Sequence, residues 1–130
     1  MLTKEEINAI RQEMEQIDDD IHTLEQEKSR LKQKLITNTF EIVDAKFPGL
    51  NFGDKVKVTR EIRDFFDHEL LQTVTETLYF HSRTVGAYMD GTNTNQIKYE
   101  FFQCKKDGSR SKKTVQYWYM NITAIEKVTE

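Results

Sequence analysis

The sequence predicts an α+β protein in which a long N-terminal coiled-coil helix precedes a small antiparallel β-barrel or curled sheet. Two observations carry this. From Thr3 to Lys46 an apolar residue returns every three or four positions, and nine of the eleven heptad seam positions are apolar. From Lys55 onward short alternating runs rich in Val, Ile, Thr and aromatic residues are separated by Gly and Asp turns. The expected domains are residues 1–47, for oligomerisation, and 48–130, a β-rich binding unit.

The helix start is set by a capping box. Thr3 and Glu6 can each satisfy the other's orphan backbone N–H, with Leu2 and Ile7 as a hydrophobic staple around it. Pro48 disfavours helix at Phe47, and Gly49 follows. Within these limits Ile7, Ile10, Met14, Ile17, Ile21, Leu24, Leu31, Leu35 and Ile42 form the seam, with Lys28 and Asn38 as its polar interruptions. Flanking charges attract at some positions of a parallel pair and repel at others, so they leave orientation open. A break is expected at most near Thr37–Thr39, where weaker helix formers adjoin. Toward the helix end a second apolar face, Ile36, Phe40, Val43 and Phe47, predicts contact with the β-rich part.

Phe52-Gly53-Asp54 reads as a turn into a half-buried strand, Lys55–Thr59, where charge alternates with valine. Arg60–Thr73, with Ile62, Phe65, Phe66 and Leu70, is expected to be loop with some helix. Residues 74–89 suggest one long strand that switches its inward face near Ser82–Thr84, or two strands, with Gly86 suited to a bulge or bend. Asp90–Asn95 is a surface loop, Ile97–Cys104 a strand, Asp107-Gly108 a hairpin turn and Thr114–Met120 its partner; Ile122–Val128 is last, after a break at Asn121. A Gly-Asp turn, a long first loop, three meander strands, a short break and a final strand together resemble the SH3-like small barrels at the level of fold, over residues 50–130. That resemblance contains no sequence motif and implies no particular function.

Charge is uneven. Residues 1–46 hold seven Lys and Arg against eleven Asp and Glu, a balance of −4, within a chain whose net charge is −3. The last segment is locally basic: Lys105, Lys106, Arg110, Lys112 and Lys113 surround a hairpin turn with Asp107 as its one acid, and Tyr117, Trp118 and Tyr119 follow. Cations neutralise phosphate and aromatic faces stack on bases, so these eight residues are the candidate ligand-binding set for nucleic acid or another phosphate-bearing ligand. An ordinary alternative is that lysines guard an edge strand and that the aromatics belong to the core.

No catalytic set is expected. Cys104 and the histidines His22, His68 and His81 lie in no nucleophile motif, and the five glycines form no phosphate loop. Asp18 with His22, and Asp64 with Asp67, His68 and Glu69, have ligand-like spacing but read as solvated polar surface, so neither metal nor cofactor is expected. A single cysteine, no signal-like start and no long apolar run suggest a cytoplasmic protein without membrane contact. The resulting expectation is a non-enzymatic oligomeric binding module. Its alternative is a small inhibitor or adaptor, of the kind phages and mobile elements encode, that engages a protein through the acidic helix residues Glu13–Asp20.

Self-association follows most directly from the seam. Replacing Ile17 and Ile21 by Asp is expected to convert the assembly to monomer, read by sedimentation at tens of micromolar, a roughly chosen range. A wild-type chain that sediments as monomer there removes the basis of the seam reading.

Overall fold

The computed structural model describes residues 1–129. In chain order these form α1 (Lys4–Lys46), β1 (Lys55–Arg63), β2 (Leu70–Val85), β3 (Ile97–Cys104), β4 (Arg110–Trp118) and β5 (Ile122–Lys127), with 3-10 turns at Thr94–Gln96 and Tyr119–Asn121. Two compact units divide the chain, residues 1–34 and the part from Leu35 onward.

In the first unit the capping box is formed. Thr3 Oγ1 accepts the Glu6 N–H at 3.1 Å, and Glu6 Oε1 accepts the Thr3 N–H at 3.4 Å. Every residue from 1 to 34 is exposed, the seam residues included; Met14 and Leu24 retain 60% and 68% of their accessible surface. Side-chain pairs such as Glu27 with Arg30 and Gln16 with Asp20 lie one turn apart on this helix.

The second unit begins inside the helix. The run Thr37–Thr39 does not break α1: Thr39 is buried, and its hydroxyl donates to the Leu35 carbonyl at 2.9 Å, so the polar group is satisfied within the helix. Val43 is fully buried and Phe47 nearly so, while Phe40 packs on the same core. Phe47 meets Tyr99 and Tyr119 edge to face, with ring centroids 5.6 and 5.8 Å apart. Polar contacts pin the same segment: Lys46 Nζ donates to the Ile122 carbonyl at 2.9 Å, and Asp44 pairs with Arg83 at 2.9 Å.

The five strands form one antiparallel sheet in the order β4-β3-β2-β1-β5. β4 and β5 are both edges, so the sheet is open and the closed-barrel form of the expectation is corrected to an open one. Closure would require those two strands to pair. One face carries the core: Val56 and Val58 of β1, Leu78 and Phe80 of β2, Ile97, Tyr99 and Phe101 of β3, and Ile122 and Ile125 of β5, joined by Val43 and Phe47.

Arg60–Thr73 departs from the expected loop with helix. Arg60–Arg63 complete β1 and Leu70–Thr73 open β2, paired as Arg60 with Val74, Glu61 with Thr73 and Ile62 with Gln72. Cross-strand backbone bonding continues through Arg60, Glu61, Arg63 and Gln72, which have little strand preference of their own, a tertiary override of propensity. Asp64–Glu69 closes this hairpin, leaving Phe65 and Phe66 exposed at its tip and in contact with each other at 5.4 Å.

Residues 74–85 lie in a single long strand whose register shifts between Phe80 and Ser82; the extra residue, His81, switches the inward positions from Leu78 and Phe80 to Val85, next to the expected Ser82–Thr84. Gly86 follows the strand end, where an added Cβ would come within 2.7 Å of the Trp118 ring. β4 starts four residues earlier than expected, at Arg110, and Tyr119 and Met120 belong to a 3-10 turn.

Because Phe47 fills the core from the helix side, Phe47→Ala is expected to lower the stability of this unit by about 3–5 kcal/mol. Denaturant unfolding followed by Trp118 fluorescence checks it; an unchanged midpoint excludes the helix end from the folded core.

Candidate functional site

The β3–β4 hairpin is shaped by its own polar groups. Asp107 Oδ1 accepts the Ser109 N–H at 2.9 Å and the Ser109 hydroxyl at 2.6 Å, Gly108 takes a φ of 90°, and the Lys105 N–H donates to the Ser109 carbonyl at 2.8 Å. The Tyr79 hydroxyl donates to the Gly108 carbonyl and ties the tip to β2. A register shift between Phe102 and Cys104 leaves extra residues on β4, where Ser111 Oγ accepts the Lys113 N–H at 3.1 Å. Lys105, Lys106, Arg110, Lys112 and Lys113 are all exposed on this rigidified turn and its edge strand.

The aromatic residues that follow in sequence do not join them. Arg110 pairs with Cys104 and Trp118 with Lys98, six β3 residues away, roughly 20 Å. Tyr117 pairs across the ladder with Tyr99 and faces the core side, its hydroxyl donating to Glu76 Oε2 at 2.9 Å and its ring lying 4.2 Å from the Arg60 guanidinium carbon. Burial, with Glu76 beside it, pushes the Tyr117 phenol above its ordinary value. Tyr119 stacks on Tyr99 at 6.4 Å and meets Phe47. Trp118 lies on the opposite sheet face, with Lys98 Nζ 4.4 Å from its ring.

A different set of rings lies beside Arg110, at the base of the basic hairpin. Phe52, His81 and Phe102 contact one another, with centroids 5.5 Å apart for Phe52–His81, 5.5 Å for Phe52–Phe102 and 4.9 Å for His81–Phe102. The Arg110 guanidinium lies 4.6 Å from Phe102 and 5.5 Å from Phe52. Each ring arrives by a different route. Phe102 is the outward member of β3, between the inward Phe101 and the next turn. His81 is the bulge residue of β2. Phe52 sits in a turn held by Asn51 and Asp54 and docked on β2, where the Gly53 N–H donates to the Phe80 carbonyl at 2.8 Å and Gly53 takes a φ of 88°. Phe52 remains 62% exposed. Of these three rings, only Phe102 had a signal in the sequence: an aromatic on the polar side of an alternating strand.

Other chemistry-bearing groups are spent on structure. Asp64 Oδ1 accepts the Phe66 and Asp67 N–H groups at 2.8 and 3.2 Å, and Asp67 Oδ1 accepts the Glu69 N–H at 2.9 Å. Among the described residues no group of three or more His, Cys, Asp or Glu side chains is placed to hold a metal ion. The Cys104 thiol donates to the adjacent Lys105 carbonyl at 3.5 Å, and Cys104 is half-buried. No helix is long and apolar enough to cross a membrane. Comparison with protein families, curated proteins and solved structures finds no match to this chain.

Three turn aspartates make the fold sensitive to acid. The Asn51 amide, aided by Lys127, holds Asp54 below its ordinary 3.8; the Phe66 and Asp67 amides do so for Asp64, and Ser109 for Asp107. A lowered folded value means that their stabilisation is complete above 3.8 and is lost as pH falls through the folded values. Thermal melts over falling pH are expected to show progressive destabilisation below 3.8, and Asp54→Asn to show less of it. An identical acid profile in that variant excludes Asp54 from the effect.

Proposed function

We propose that this chain is a non-enzymatic, cytoplasmic binding module that self-associates through the α1 seam and binds nucleic acid, or another phosphate-bearing ligand, at the β3–β4 hairpin. The observation that carries the ligand is the convergence of five exposed cations on a hairpin stiffened by Asp107, Gly108 and Tyr79. Long cations attract phosphate most effectively when the backbone beneath them is fixed, because less ordering entropy is lost on binding. The exposed Ile7, Ile10, Met14, Ile17, Ile21, Leu24, Leu31 and Leu35 support self-association: a regular apolar stripe on a charged helix is buried most simply against a second copy of itself. Association would bring several basic hairpins to one polymer, which multiplies weak individual contacts. At the level of fold, the strand order with β5 beside β1 and the 3-10 turn before β5 support an SH3-like reading.

Oligonucleotide binding at low ionic strength is expected, measured by fluorescence anisotropy. With about four phosphate contacts, raising salt from about 50 to 200 mM weakens single-strand binding roughly 50-fold. Replacing Lys105, Lys106, Arg110, Lys112 and Lys113 together by Gln abolishes it. Absence of binding at low salt, or binding indifferent to these replacements, overturns the proposal.

A further inference from the structure

We infer that the ligand of this hairpin is single-stranded nucleic acid, with a base stacked on the Phe52–His81–Phe102 cluster; this rests on the nucleic-acid reading above and names the form of the polymer.

A basic hairpin alone does not distinguish duplex from single strand, since both offer phosphates. The rings do. Three aromatic side chains in mutual contact at 4.9–5.5 Å lie beside Arg110, with Phe52 62% exposed although it belongs to a turn anchored by four hydrogen bonds. That turn and the bulge at His81 hold the rings out of the core, which has its own aromatic set in Tyr99, Phe101 and Phe80. An unpaired base supplies a flat apolar face to cover such rings, whereas a duplex keeps its base faces stacked inside.

Arg110 links the two halves of the site. Its guanidinium already lies over Phe102 and near Phe52, so it can extend a stack and also meet a phosphate. Glu100 sets the polarity. Its carboxylate lies 3.4 Å from His81 Nδ1 on the same patch and repels phosphate, which directs the backbone toward Lys105–Lys113 and the base toward the rings. The arrangement is a cationic track with an adjoining stacking platform, the two components that sequence-tolerant single-strand binding requires.

The test uses the full-length chain and a labelled mixed-sequence single strand of about twelve nucleotides, beside the duplex of the same sequence. Tighter binding of the single strand is expected. Phe52→Leu and Phe102→Leu keep apolar bulk but remove the flat face, and each weakens single-strand binding by roughly fivefold to a hundredfold while leaving duplex binding unchanged. Phe52→Trp restores or strengthens it, a recovery that a purely structural role for the ring would not produce. Equal affinity for the two forms, or ring variants that bind the single strand like wild type, overturns this inference and leaves the hairpin reading standing. Failure of both forms to bind at low salt overturns the hairpin reading and this inference with it.

Discussion

Burial of the last turns of α1 against the open face of the sheet is the contact on which the second unit depends. An open five-stranded sheet of this size has little core of its own, and its inward aromatics, Tyr99 and Phe101 above all, need cover. Val43 and Phe47 supply part of it, and Lys46 and Asp44 fix the angle by pairing with Ile122 and Arg83. The same helix therefore has two kinds of apolar surface. Phe40, Val43 and Phe47 belong to the core side, while Leu35 and Ile42, on the adjoining face, stay exposed.

With one sheet face committed to the core, the other is free to carry a site. Strand alternation sends Phe101 inward and Phe102 outward, and the bulge at His81 adds a ring to the outward set without disturbing Phe80. Aromatic residues are thus divided between stability and surface by strand parity together with the bulge at His81 and the turns that carry Phe52 and Tyr119. Tyr117 and Tyr119 fall on the structural side of that division, Phe52 and Phe102 on the surface side. The basic hairpin lies beside the second group because Arg110, at the start of β4, is the ladder partner of Cys104, one turn of the pleat from Phe102.

Local signals suffice where local chemistry decides. Thr3 with Glu6, Pro48, Asp107-Gly108 and the two-residue alternation of Lys55–Thr59 and Ile97–Cys104 each act over a few residues, and the corresponding elements are where those signals place them. The composition of Arg60–Thr73 favours loop with some helix, whereas its strand character comes from pairing across the hairpin. The candidate site was legible in its cations and not in its rings. Lys105–Lys113 form one contiguous hairpin, whereas Phe52, His81 and Phe102 stand far apart in the chain and meet only through sheet register and a docked turn.

What the sequence determined by itself is the helix with its capped start and apolar stripe, the β-rich remainder, and the basic turn, because each follows from periodicity, capping or turn chemistry within a short window. Only the tertiary structure decided that the sheet is open, and that Arg110 meets Phe52 and Phe102 rather than Tyr117, Trp118 and Tyr119. Those outcomes depend on register, and a single bulge reassigns which side chains share a face, a choice that no stretch of the chain makes alone.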